Sequence, residues 1–142
     1  MNKILIGVDG SASAEAAVRA VAELFGHRGA VHVTLLSVIR LVALQTGVIE
    51  EPGPPVSPDS WAYFEVPRKV LRSAGIEPTV LLREGDPASE IVAAARDGEY
   101  DLIVVGHRGI SAIKALVIGS VSQGVVAHTP CSVLVVRAGQ EG

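Results

Sequence analysis

Asp101 to Val105 reads DLIVV and runs straight into Gly106-His107-Arg108-Gly109. The four residues after Asp101 are apolar and three are β-branched, with no alternation, the pattern of a short strand buried on both faces. Such a strand belongs in a parallel sheet, whose neighbours are joined by crossovers that are usually helices. The flanking sequence supplies them. Downstream, Ser120 to about His128 is expected to be helix and Ser132 to Val136 (SVLVV) a further apolar strand. Upstream, Gly85-Asp86-Pro87 is a helix start, with Asp86 as N-cap and Pro87 at the first helical position. That helix is expected to reach about Arg96, and Pro78 to Arg83 precedes it as a strand.

The N-terminal half repeats the alternation. Lys3 to Val8 (KILIGV) reads as a buried strand, Asp9-Gly10-Ser11 as its turn, and Ser11 or Ser13 as the cap of the next helix. Ala17, Val18, Val21, Leu24 and Phe25 form one apolar stripe on that helix. Gly26 is expected to end it in a left-handed conformation. Ala30 to Val38 (AVHVTLLSV) is a strand. Leu41 to Pro58 carries Pro52, Pro54, Pro55 and Pro58, which exclude a continuous helix or central strand, so this stretch reads as a surface loop or lid. A helix from about Asp59 to Ala74 follows, with Pro67 either kinking it or marking its proper start.

Five strands alternating with helices define an α/β fold: a three-layer, Rossmann-like sandwich around a five-stranded parallel sheet, in a single domain over residues 1–142. Right-handed crossovers favour the strand order 3-2-1-4-5, which reverses between strands one and four. Ligands of open α/β sheets bind at the carboxyl ends of the strands flanking such a reversal. The order therefore directs attention to Val8-Asp9 and to Gly106 onward before any motif is considered.

Composition narrows the function. Hydrophobic residues make up 49% and charged residues 19%, so a packed core rather than disorder is expected. The net charge is −3 and neither half is basic, with 7 basic against 7 acidic residues through Gly75 and 5 against 8 after it. A nucleic-acid partner is not expected, because it would demand a basic surface. The most apolar stretch, around Val31 to Val42, contains His32, Thr34 and Arg40 and falls short of a membrane span. Ile4 to Val8 is too short for the core of a signal peptide. With one cysteine, Cys131, no internal disulfide can form, and a cytoplasmic setting is expected.

Gly106 and Gly109 are followed, nine residues on, by Gly119-Ser120. Glycines allow backbone to approach a ligand closely, and Gly119-Ser120 falls where the last helix begins. Its free N–H groups near Val121 and Ser122, the Ser120 and Ser122 hydroxyls, and the helix dipole suit an anion such as phosphate.

The pattern G-x2-G-x9-G-[S/T] resembles the nucleotide signature of the ATP-binding branch of the universal stress protein family. Ile4 to Leu24 (ILIGVDGSASAEAAVRAVAEL), Gly85 to Ala95 (GDPASEIVAAA), Asp101 to Gly109 and Gly119 to Val136 (GSVSQGVVAHTPCSVLVV) resemble that family's elements in order. The likeness covers all but about Leu41 to Gly75. It implies an adenine-nucleotide-binding sandwich of the adenine nucleotide α-hydrolase-like kind, dimeric through the last strand. It further implies that Gly7, Val8 and Asp9 meet the adenosine part and Val38 the base. Gly106, Gly109, Gly119, Ser120, Val121 and Ser122 would hold ribose and phosphates. His107-Arg108 departs from the small or polar residues usual there, and Arg108 is a candidate phosphate contact. The implied ligand is ATP, with or without Mg2+, and the implied partner a second copy pairing along residues 132–136.

Other candidates carry less. His27, His32, His107 and His128 show no metal-ligand spacing. Cys131 reads as a packing residue, and Ser122 lacks the first glycine of G-x-S-x-G. Trp61 and Phe64 share a helical face suited to core. There is no GxxxxGK[ST] and no GxGxxG, which excludes a P-loop and a dinucleotide-binding unit. Three functions stay open: a regulatory nucleotide-binding protein; a slow ATP hydrolase or α-β-cleaving enzyme in which Asp9 or Glu84 manages magnesium or water; and an interaction module with a vestigial pocket.

Overall fold

The computed structural model describes residues 2–39, 62–107 and 120–138, with Ser120 described by its main chain alone. The expected loop at 41–58 and Trp61 lie outside the described residues. Strands β1 (Lys3–Gly7), β2 (His32–Ile39), β3 (Thr79–Glu84), β4 (Leu102–Gly106) and β5 (Ser132–Val136) form one sheet in the order β3-β2-β1-β4-β5. Every neighbouring pair is parallel. Helices α1 (Ala12–Phe25), α2 (Glu65–Ser73), α3 (Pro87–Asp97) and α4 (Ser120–His128) connect or flank them.

Alternate residues of the central strands divide the core into two layers. Ile4, Ile6, Val33, Leu35 and Val104 pack against Val18 and Val21 of α1 and Leu71 of α2, with Phe64 fully buried among them. Leu5, Leu36, Ile103 and Val105 pack against Ile91 and Ala95 of α3 and Val125 of α4. A strand covered on both faces has no solvent side to mark with polar residues, hence the unbroken apolar runs of β1 and β4. Thr34 is a buried exception in β2, and its Oγ1 accepts a 2.7 Å hydrogen bond from the Tyr100 hydroxyl. Cys131 packs at the edge of the second layer, as expected for it.

At the amino edge of the sheet, Asp101 clamps β1 to the start of β4. Its Oδ2 accepts from the backbone N–H groups of Lys3 at 3.0 Å and Asn2 at 3.1 Å. Those N–H donors, Lys3 first, hold its carboxyl below the usual aspartate range. The Lys3 ammonium donates to the Gly98 carbonyl and lies 4.7 Å from the centroid of the Tyr100 ring.

Several boundaries differ from expectation, each for a local reason. Gly26 is not left-handed; it is extended, with φ −65° and ψ 147°. The left-handed positions fall instead on His27 (φ 58°), Gly29 (φ 66°) and Ala30 (φ 54°). What Gly26 supplies is space, since a Cβ there would lie 2.3 Å from the Ala22 carbonyl oxygen and 2.8 Å from Ala74 Cβ. Ala30 interrupts the extended run, so β2 begins at His32 rather than at Ala30. Pro67 does not start α2, which begins at Glu65. It is the third residue of the helix, in the first turn, where an N–H has no partner within the helix to lose. Asp86 caps α3 by accepting from the Ser89 N–H at 3.1 Å, with Pro87 first in the helix, as the sequence implies.

Candidate functional site

The reversal of strand order lies between β1 and β4, and both carboxyl ends are built from short-range constraints. Beyond β1, the Val8 N–H donates to the Leu36 carbonyl at 2.8 Å, which keeps that backbone on the sheet. Asp9 then folds the turn: its Oδ1 accepts from the Ser11 N–H at 2.9 Å. Ser11, rather than Ser13, caps α1, its Oγ accepting from the Ala14 N–H at 3.1 Å. Gly10 sits at φ +82°, and the Tyr63 ring lies over it, 3.0 Å from where a Cβ would stand. Glycine is required there twice over, by the left-handed backbone and by the ring.

The end of β4 is tighter still. A Cβ on Gly106 would fall 2.4 Å from Ser13 Oγ, 2.5 Å from the Ser13 carbonyl carbon and 2.6 Å from its oxygen. The first turn of α1 therefore rests directly on Gly106. From the other layer, Ser122 in the first turn of α4 donates its hydroxyl to the Gly106 carbonyl at 2.5 Å, with the His107 carbonyl at 3.4 Å. Ser122 is 2% exposed. The His107 N–H donates to the Val136 carbonyl at 2.7 Å, which ties the residue after β4 to the end of β5. Two helix starts and two strand ends thus meet around one glycine.

The expected site residues distribute as follows. Val8 is 4% exposed, and its side chain belongs to the α1–α2 layer of the core. With its N–H used by Leu36, the carbonyl is the polar group it can offer a ligand. Gly7, Val38 and Val121 each border the core cluster of the opposite face: a Cβ at Gly7 would meet Ile91 and Val105, and Val38 and Val121 pack against that same cluster. Asp9 lies at the turn after β1, half-buried. Gly106 and Ser122 are in direct contact. Arg108, Gly109 and Gly119 lie outside the described residues, as does the Ser120 side chain. One expectation changes in kind: Ser122 was expected to offer its hydroxyl as a donor to phosphate, but the single proton of that hydroxyl goes to Gly106.

Electrostatically, α4 differs from the other three helices. Glu15, Glu65 and Glu90 place a carboxylate in the first turns of α1, α2 and α3, whereas α4 has no acidic residue in its first turn. Two neighbours of the site escaped sequence reading. Ser13 was visible as a candidate cap, not as the surface on which Gly106 rests, and no local pattern signals a contact 93 residues away. Tyr63 reaches Gly10 from beyond the proline-rich stretch, where periodicity gives no register.

A model of the universal stress protein family matches residues 1–137. The chain belongs to this family. It is 32% identical to the universal stress protein YxiE of Bacillus subtilis over 146 residues, spanning 96% of this chain and 99% of the other. Among solved structures, the hypothetical protein MJ0577 superposes with a TM-score of 0.77 at 25% identity, over 99% of this chain and 98% of that one. A universal stress protein in complex with cAMP gives 0.69 at 22% identity, with 95% of each chain covered. A family protein from Arabidopsis thaliana with AMP bound gives 0.66 at 18% identity, covering 99% and 94%. The five-stranded parallel sheet in the order 3-2-1-4-5 is thus the fold of this family. No helix among the described residues is long and apolar enough to cross a membrane.

Proposed function

We propose that this universal stress protein is a regulatory adenine-nucleotide-binding protein that holds ATP, with or without Mg2+, at the β1/β4 reversal. The observation that carries the reading is the junction at Gly106, where α4 brings a first turn bare of carboxylates to the end of β4. Phosphates would lie against the N–H groups of that turn, with Gly109, Gly119, Ser120 and Arg108 beside them. Adenosine would lie along Gly7, the Val8 carbonyl and Asp9, with the base toward Val38. The solved relatives bound to cAMP and AMP support an adenine nucleotide as the class of ligand. Among the described residues, no group of three His, Cys, Asp or Glu side chains could hold a metal, so a magnesium ion would travel with the phosphates.

The hydrolytic alternative would give the management of magnesium or water to Asp9 or to Glu84. Asp9 follows β1 and Glu84 ends β3, two strands away in a sheet where adjacent strands lie about 4.8 Å apart. The proposal further includes one domain over residues 1–142, a cytoplasmic setting consistent with a lone cysteine, and a homodimer through Ser132–Val136.

Titration calorimetry with ATP, AMP, cAMP and GTP tests the ligand class. Wild-type protein is expected to bind adenine nucleotides and to discriminate against GTP. Gly119→Val, which places a branched side chain in the glycine motif, should abolish ATP binding with the circular dichroism spectrum unchanged. Equal ATP affinity in Gly119→Val and wild type would mean that the glycines are ordinary turn residues and that the nucleotide reading is wrong.

A further inference from the structure

Ser122 stands where a phosphate ligand would be sought, yet its chemistry points inward. A carbonyl oxygen can only accept, so the 2.5 Å contact with Gly106 requires the Ser122 hydroxyl to donate. A hydroxyl has one proton, and the other close oxygen, at 3.4 Å, is again a carbonyl, that of His107. What remains on Oγ is lone pairs, which repel phosphate oxygens. The side chain is also buried, so turning it outward would take from the Gly106 carbonyl the donor that it has in Ser122.

We infer that Ser122 is a positioning residue: its hydroxyl pins the first turn of α4 to the end of β4, and phosphate is left to the backbone N–H groups that this anchor holds in place. Two further contacts fix the same point. Ser13 packs on Gly106 from the α1 side, and the His107 N–H is held by the Val136 carbonyl from the β5 side. With α1 and β5 both pressed onto the end of β4, the Ser122 hydrogen bond ties the first turn of α4 to the same point, while Val125 and the close approach of Gly124 to Ala88 seat the rest of the helix. The phosphate part of the inference rests on the nucleotide reading above; the anchoring part does not.

The test uses Ser122→Ala and Ser122→Thr, read by amide hydrogen exchange without nucleotide and by calorimetry with ATP and adenosine. The amides of Gly124, Val125 and Val126 report on the first turn of α4, because helical bonds close on residues four positions earlier. In Ser122→Ala their exchange, and that of His107, is expected to rise by about 3- to 10-fold, the range for one net hydrogen bond. Leu5 and Ile6 in β1 should be unchanged. ATP affinity should fall by a similar factor and adenosine affinity should hold, while Ser122→Thr, which keeps the hydroxyl, should restore both readouts. Unchanged exchange in Ser122→Ala would overturn the inference, and with weakened ATP binding it would make the hydroxyl a phosphate ligand after all. A rise shared equally by Leu5 and Ile6 would report lost global stability and also count against it. If wild-type protein bound no ATP, the nucleotide reading would fail, and the exchange data would still decide the anchor.

Discussion

Gly106→Ala adds one methyl group at the place where α1, β4 and α4 converge. The new Cβ would stand 2.4 Å from Ser13 Oγ, 2.5 Å from the Ser13 carbonyl carbon and 2.6 Å from its oxygen, whereas ordinary contact begins at 3.4 Å. The first turn of α1 would have to retreat by about 1 Å to restore normal contact. Two of the three atoms belong to the helix backbone, so no change of rotamer relieves the clash. Overpacking a core costs about 1–3 kcal/mol, and unyielding neighbours put this case near about 3 kcal/mol. For a chain of 142 residues that corresponds to a drop of roughly 10 °C in Tm. Urea and thermal denaturation of wild type and Gly106→Ala measure it. Adding Ser13→Ala removes one contact of the three and should recover less than about half of the loss. A change below about 1 kcal/mol, or full recovery in the double variant, would refute the claim that backbone approach makes glycine necessary here.

Two other outcomes follow from features at opposite places in the sheet. Backbone donors hold Asp101 below the usual aspartate range in the folded protein, so its contribution is present at neutral pH and lost as pH falls through its folded-state pKa. Wild type should therefore be more stable than Asp101→Asn at neutral pH, with the gap in urea midpoint closing below about pH 4; a gap independent of pH would contradict this. On the β5 edge, Val135→Lys should convert a dimer into a monomer at micromolar concentration in sedimentation equilibrium, with its circular dichroism retained. A monomeric wild type would remove the dimer from the proposal.

Local chemistry that completes itself within a few residues was legible from the chain. Gly85-Asp86-Pro87 specifies cap and first turn by adjacent side-chain and backbone properties, and α3 begins there. The sheet order was legible because chirality leaves few ways to connect five parallel strands. Gly26 was misread because a glycine after an apolar stripe has two uses, left-handed backbone and close approach, and only the packing of Ala74 chooses between them. Gly106 posed the same ambiguity at the site. Its spacing pointed to phosphate, while the contact that demands glycine among the described residues is Ser13. The turning of the Ser122 hydroxyl toward Gly106 depends on a carbonyl 16 residues earlier, a relation that no spacing rule encodes.

The two borders of the sheet are chemically unlike. β5 is SVLVV from end to end, whereas β3 finishes in Arg83 and Glu84, with the Arg83 Nε bound to Glu90 Oε1 at 2.8 Å. Joining β5 of one molecule to β3 of the next would be a head-to-tail contact, and repeating it would propagate an open ribbon. Charge at the close of β3 opposes such growth, as charged edge residues do elsewhere. β5 meeting β5 is self-complementary about a twofold axis and consumes both apolar borders at once. An assembly built through that strand closes at two copies, with a charged margin facing outward on either side.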